Sequence, residues 1–214
     1  MGVPVLIIGR SGAGKSASMR NLNPEEIGIF NVASKVLPFK KKMKVSNHPT
    51  YESIEKALIK NNLKAYVIDD SQFLMAFEQL ARANESGYKK YTDIGLHFYA
   101  LVETVINRTS EDTIVYFLHH TESTEAGEIK AKTVGKLIDN WLTLEGLFSI
   151  VIHATVDNEG HWFVTQTDGQ TTAKSPMGMF PLKMDNDLKA IDDAIRAYYE
   201  FVNTEKLEKE TRKE

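Results

Sequence analysis

The sequence predicts an α/β fold: a mostly parallel central sheet flanked by helices, with a β-hairpin toward the C-terminal end. Three observations carry that expectation. Residues 3–8 form a short, continuous apolar run with β-branched residues, as expected of a strand buried on both faces of a parallel sheet. Further runs of strand length alternate with helical apolar spacing, the rhythm of βαβ units. Late in the chain, the stretches 148–154 and 161–167 flank Asp157, Asn158, Glu159 and Gly160, which is turn chemistry suited to a hairpin.

In chain order, the first strand ends at Gly9, and residues 15–21 open a helix closed by Asn21, Asn23 and Pro24. Residues 27–32 make the second strand. The stretch 35–44, with Lys40, Lys41 and Lys42, leads to a turn at Asn47, His48 and Pro49. A helix follows over 51–60 with Ile54, Leu58 and Ile59 on one face, then a third strand over 65–68 ending in Asp69 and Asp70. Helical patterns cover 72–83 and 93–107, the second placing Ile94, Phe98, Leu101, Val102, Val105 and Ile106 at spacings of three and four. The fourth strand, 113–118, ends in His119 and His120.

Residues 121–133 are polar, contain Gly127 and have little to bury, so they read as a mobile loop and candidate binding element before a helix over 134–141. A Gly/Ser/Pro/Met loop, 168–181, follows the hairpin. The last helix, 187–201, carries Leu188, Ile191, Ile195 and Tyr199 at helical spacing, and the charged residues 205–214 read as a frayed or disordered tail. The expected organisation is one domain over 1–201 with a charged tail over 202–214.

Composition narrows the function. A chain of 214 residues, 42% hydrophobic and 26% charged, can bury one sizeable core. A net charge of −3 does not describe a surface built as a whole to attract a polyanion, so any nucleic-acid contact must be local. The absence of cysteine excludes disulfides, zinc-thiolate sites and thiol catalysis, and makes a reducing cytoplasm the natural compartment. The apolar start, 1–8, is too short for a signal segment, and no later stretch approaches the roughly 18 apolar residues of a membrane span. A soluble protein without a cleaved leader is therefore expected.

The chemistry begins at Gly9, Arg10, Ser11, Gly12, Ala13, Gly14, Lys15 and Ser16, which fit G-x-x-x-x-G-K-[ST] where strand gives way to helix, with Ala17 next. Glycines let backbone N–H groups close around phosphates, Lys15 reaches β and γ oxygens, and Ser16 ligates Mg²⁺. The pattern points to a nucleoside triphosphate. Asp69, delivered to the carboxyl end of a buried strand, is suited to hold Mg²⁺ through water. Asp70 stands where an acid orients attacking water, or else caps the next helix.

His120, with Glu122 beyond it, is placed to touch the γ-phosphate or the attacking water. The alternative is a satisfied strand-end histidine. His119 and His120 point to opposite sides of a strand and lack a close third ligand, which argues against zinc. Lys174, after the hairpin, is a candidate finger toward a neighbouring subunit's γ-phosphate, or a solvated loop lysine. The lysines of 35–44 could meet a nucleic-acid backbone or form a solvated face, with Phe39 the one aromatic interleaved among them.

Taken together, these residues resemble the small phage-encoded AAA-type ATP-binding proteins with a RecA-like core, of the ASCE kind. The resemblance covers residues 3–201 and rests on Gly9 to Ser16, the stretches 35–40 and 67–70, residues 131–136, and 172–180. Only the first is a motif of general specificity. Some relatives are similar to phage single-strand annealing or recombination ATPases. That similarity implies ATP and Mg²⁺ as cofactors, single-stranded DNA, self-assembly into a homo-oligomer, and replication or recombination proteins as partners. One departure matters: where RecA-like enzymes commonly place a catalytic glutamate after the second strand, this chain has Asn31, Val32, Ala33 and Ser34. Hydrolysis then depends on Asp70 or is slow, which keeps open a nucleotide-gated adaptor without appreciable turnover. A small P-loop kinase is the other alternative, although few arginines cluster to form its lid.

Overall fold

The computed structural model describes residues 1–60 and 62–201; the charged tail expected over 202–214 lies outside the described residues. The strands are β1 (Val3–Gly9), β2 (Ile27–Asn31), β3 (Lys44–Asn47), β4 (Ala65–Asp69), β5 (Ile114–Ser123), β6 (Ile129–Ala131), β7 (Ile150–Asp157), β8 (Gly160–Val164) and β9 (Lys183–Asp185). The helices are α1 (Tyr51–Lys60), α2 (Gln72–Ala81), α3 (Lys89–Arg108), α4 (Lys136–Trp141) and α5 (Leu188–Tyr198), with 3-10 turns at Ser16–Asn21 and Leu144–Leu147. The sheet runs β3-β2-β4-β5-β1-β7-β8-β9, and β6 pairs with β5 off this path. Pairing is parallel from β3 across to β7 and antiparallel from β7 through β8 to β9.

Alternation along the central strands divides the core between the two faces of the sheet. Leu6, Ile8, Val115 and Phe117 pack on one side with Ile54 and Leu58 of α1 and Phe98 and Leu101 of α3. Val5, Ile7, Tyr116 and Leu118 pack on the other with Met19, Leu22, Phe163 and the α5 residues Leu188, Ile191 and Ile195. Both faces are covered, which is why β1 and β4 read as continuous apolar runs. No helix among the described residues is long and apolar enough to cross a membrane.

Several elements differ from the sequence reading. The stretch expected to be a mobile loop, 121–133, instead extends β5 and returns as β6, pairing Thr121 with Ala131, Glu122 with Lys130 and Ser123 with Ile129. Gly127, at φ 85°, turns the ribbon, and the buried carboxylate of Glu145 accepts from the Ala131 N–H at 2.6 Å. A ribbon held by backbone pairing and one carboxylate needs no apolar face, so hydropathy could not announce it. The strands β3 and β9 escaped for the same reason, being short and largely exposed edge elements. The first turn after the glycine loop is 3-10 rather than α-helical, α3 begins at Lys89, and Ile59 is exposed rather than packed with Ile54 and Leu58.

Phe98 links core to site, since its ring lies 5.9 Å from that of Phe117 and 5.7 Å from the His119 imidazole. Phe98→Ala is expected to lower stability by about 3–5 kcal/mol; urea unfolding measures it, and a loss below about 1 kcal/mol would show that the layer repacks.

Candidate functional site

Parallel register brings the chemistry to one edge. Gly9 of β1 lies level with His120 of β5, and Asn31 of β2 with Asp69 of β4. β5 runs between β1 and β4, so the glycine loop and the paired aspartates flank the strand that carries the histidines.

Gly12 and Gly14 sit at φ 83° and 90°, backbone that side chains rarely adopt, which lets the loop curl. Lys15 is buried and its ammonium donates to the carbonyls of Gly9 at 2.7 Å and Arg10 at 3.0 Å. Burial lowers its pKa to about 8, opposed by the nearby charges of Asp70 and Asp69. Ser16 Oγ donates to Asp69 Oδ1 at 2.8 Å, joining the loop to the end of β4. Burial raises the Asp69 carboxyl to about 6, against the pull of the Ser16 hydrogen bond.

Asp70 does not cap α2. With φ 60° it turns the chain out of β4 and presents its carboxylate to two donors: Lys35 Nζ at 2.7 Å on Oδ2 and His120 Nε2 at 3.0 Å on Oδ1. Burial opposes its ionisation, but the His120 and Lys35 hydrogen bonds outweigh burial and bring it down to about 2. His119 is structural. Its Nε2 donates to the Lys132 carbonyl at 2.8 Å, so Nδ1 is the acceptor for the Ser71 hydroxyl at 2.9 Å, and the neutral ring is satisfied at both nitrogens.

A cavity of about 360 Å³ lies over this edge. It brings together Ser11, Gly12, Gly14, Lys15, Ser16, Ala17, Asp69, Asp70 and His120 from the sequence reading. Gly9 contributes its carbonyl to Lys15, Ala13 packs into the core, and Arg10 faces a neighbouring cleft beside His153. Glu122 and Lys174 do not line the cavity. Glu122 pairs with Lys130 at 3.1 Å along the β5–β6 ribbon. Lys174 is exposed and exchanges backbone hydrogen bonds of 2.8 Å with Val151, a residue level with Leu6 in mid-strand.

Sequence reasoning missed Lys35 and His161 as lining residues. Lys35 was hidden in a lysine-rich run, yet Asn31, at the end of β2, donates from its buried amide to the Lys35 carbonyl at 2.7 Å and to Asn47 Oδ1 at 3.0 Å. The position that lacks a glutamate thus holds the segment that supplies a lysine. The signal available in sequence was the short distance from a strand's carboxyl end to Lys35.

The oxygens of Ser16 and Asp69 fit Mg²⁺, which takes few protein ligands and fills its shell with water and phosphate oxygens. No group of three or more His, Asp or Glu suited to a metal occurs among the described residues.

No family model matches the chain, and no curated protein matches it. Among solved structures it is similar to an ATPase from the type III secretion system of pathogenic bacteria, at 13% sequence identity and a TM-score of 0.47, over 74% of this chain and 52% of that one. The chain spans about half the length of that ATPase, and a likeness this slight carries no inference about activity.

His119 makes the site's support sensitive to acid. Burial depresses its pKa to about 4, whereas an unfolded histidine titrates near about 6.5. Between those values the unfolded chain binds a proton that the fold refuses, so this contribution is complete above about pH 6.5 and is lost as pH falls toward 4, by up to about 3 kcal/mol. Urea midpoints of the wild type and His119→Gln should converge between pH 7 and 4.5; a constant gap would contradict a neutral buried imidazole.

Proposed function

We propose that this chain binds ATP with Mg²⁺ on the Gly9–Ser16 loop and hydrolyses it. The observation that carries the reading is the 2.8 Å hydrogen bond from Ser16 to Asp69, which joins the glycine loop to the strand-end carboxylate with buried Lys15 beside them. The strand order supports a RecA-like core of the ASCE kind, because β5 separates the loop strand β1 from the aspartate strand β4.

Lys15 exchanges its carbonyl partners for phosphate oxygens, and the backbone N–H groups around Gly12 and Gly14 surround the phosphates. Mg²⁺ bound through Ser16 and Asp69 would neutralise phosphate charge. Asp70 and His120, which both line the cavity, orient the water that attacks the γ-phosphate. A carboxylate held near about 2 is ionised at neutral pH but is a weak base, so its part is positioning more than proton removal. Water attacks the γ-phosphorus, the bond to the β-phosphate oxygen breaks, and ADP and phosphate leave.

The finer reading is of a homo-oligomer acting on single-stranded DNA in phage recombination or replication, and it is supported by the resemblance alone. Within it Lys174 serves the next subunit's γ-phosphate, the 121–133 segment couples nucleotide state to the single-stranded DNA, and exposed Lys40 and Lys42 give the local basic contact that net charge permits. A nucleotide-gated adaptor has its own support: Asp70 is engaged by both Lys35 and His120, and Asn31 replaces a glutamate.

Three measurements separate these readings. Lys15→Ala should abolish Mg²⁺-dependent hydrolysis, and Asp70→Asn should slow it on the order of 100-fold while retaining ATP binding; equal, near-zero rates for wild type and Asp70→Asn would establish the adaptor instead. Single-stranded DNA should raise the wild-type rate, and Lys174→Ala should remove that stimulation. Indifference to DNA together with a monomeric state in solution would eliminate the recombination role.

A further inference from the structure

A second cleft opens beside the phosphate cavity. It is about 440 Å³, within the range of small-molecule sites, and Ala17 and His161 line both spaces. The two are in contact at the loop itself: a Cβ on Gly14 would lie 3.0 Å from both Asn186 Oδ1 and His161 Nδ1. Whatever binds phosphate at Gly14 therefore has this cleft within reach.

The walls are braced. Arg20, in the turn after the glycine loop, donates to the Asn186 carbonyl at 2.7 Å and to the Ala17 carbonyl at 3.2 Å, and Asn21 donates to Asp187 Oδ2 at 2.8 Å. These bonds fix the Ser16–Asn21 turn against the junction of β9 and α5. The opposite wall carries Trp162, whose indole N–H donates to Asp157 Oδ1 at 2.9 Å while Lys183 Nζ sits 4.0 Å from the ring centroid. An indole already locked in place loses little entropy when a ligand stacks on it.

The polar groups select against more phosphate. Beside the single Arg20 guanidinium the lining carries two carboxylates, Glu159 and Asp185, neither of which has a hydrogen bond or ion pair among the described residues. Such groups repel a phosphate chain and accept from hydroxyls and amino groups. Asn186 adds a polar contact at the cleft wall: the residue is 5% exposed, and its buried Nδ2 donor has no hydrogen-bond partner among the described residues.

We infer that this cleft receives the ribose and purine base of the nucleotide whose phosphates lie on the Gly9–Ser16 loop, with Trp162 as the stacking surface. Glu159 and Asp185 accept from the ribose hydroxyls or the exocyclic amine, and Asn186 donates to the ligand. A bicyclic base covers more of an indole than a pyrimidine does. The inference rests on the phosphate-loop reading and adds to it that the nucleoside, not only the triphosphate, is recognised.

The test is calorimetric titration of the full chain with Mg²⁺ and, separately, ATP, CTP and inorganic tripolyphosphate, for the wild type, Trp162→Ala, Trp162→Phe and Lys15→Ala. ATP should bind the wild type on the order of 10-fold more tightly than tripolyphosphate, with CTP between them. Trp162→Ala should lose that advantage while binding tripolyphosphate as the wild type does, which also shows that the variant is folded. Trp162→Phe should recover most of it. If Trp162→Ala binds ATP as tightly as the wild type, or if the wild type binds ATP no better than tripolyphosphate, the base cleft is overturned and the phosphate loop stands. If tripolyphosphate fails to bind the wild type, or Lys15→Ala binds it equally well, the phosphate-loop reading falls and the cleft with it.

Discussion

The parallel pairing of β1 with β5 is the constraint on which the rest depends. It sets Ile8 against His119 and Gly9 against His120, so the last apolar residue of one strand and the first glycine of the loop share a level with two histidines of different character. A slip of one residue would invert every side chain on β5. His120 would face the core, His119 would leave its Ser71 and Lys132 partners, and Tyr116 would lose Asp192, to which its buried hydroxyl donates at 2.8 Å. Apolar packing on both faces holds the register, and the register holds the site.

On that frame two adjacent carboxylates acquire opposite character. Asp69 and Asp70 both lose water on burial, but Asp69 has a neutral hydroxyl as its partner and Asp70 has a lysine and a histidine. The first is pushed up to about 6 and the second brought down to about 2. The difference comes from the backbone: Asp69 ends β4 with its side chain toward Ser16, while the left-handed Asp70 swings the other way toward Lys35 and His120. A carboxylate whose ionisation is uphill gains most from a cation, and one already compensated gains least. That division supports the proposed roles, metal-holding for Asp69 and water-orienting for Asp70.

The parts legible in sequence are those where burial or backbone geometry leaves few residue choices. Continuous apolar runs gave β1, β2 and β4, helical spacing gave α1, α3 and α5, and the glycine-lysine spacing located the loop. What escaped depends on polar groups meeting across the fold. Lys35 reaches Asp70 from a segment whose carbonyl Asn31 holds, and His161 and Asn186 meet Gly14 where β8 and β9 extend the sheet beyond β7. Hydropathy cannot distinguish a lysine in a solvated run from one whose ammonium ends on a buried carboxylate. The β5–β6 ribbon carries no hydropathy signature for a related reason, since its order comes from backbone hydrogen bonds and Glu145.

The present partners of the two cavity lysines also imply an order of events. Lys15 donates to two carbonyls, neutral acceptors that a phosphate oxygen readily replaces. Lys35 is engaged in a charge pair with a carboxylate that is itself largely removed from water, and leaving it would strand the Asp70 charge with His120 as its remaining donor. In the proposed function, phosphate binding would thus draw on Lys15 first, and Asp70 would gain freedom toward water only when Lys35 moves. Because Lys35 sits on a segment positioned by Asn31, the residue found where a glutamate is common would, in the proposed hydrolysis, act through the placement of a cation and leave the glycine loop untouched.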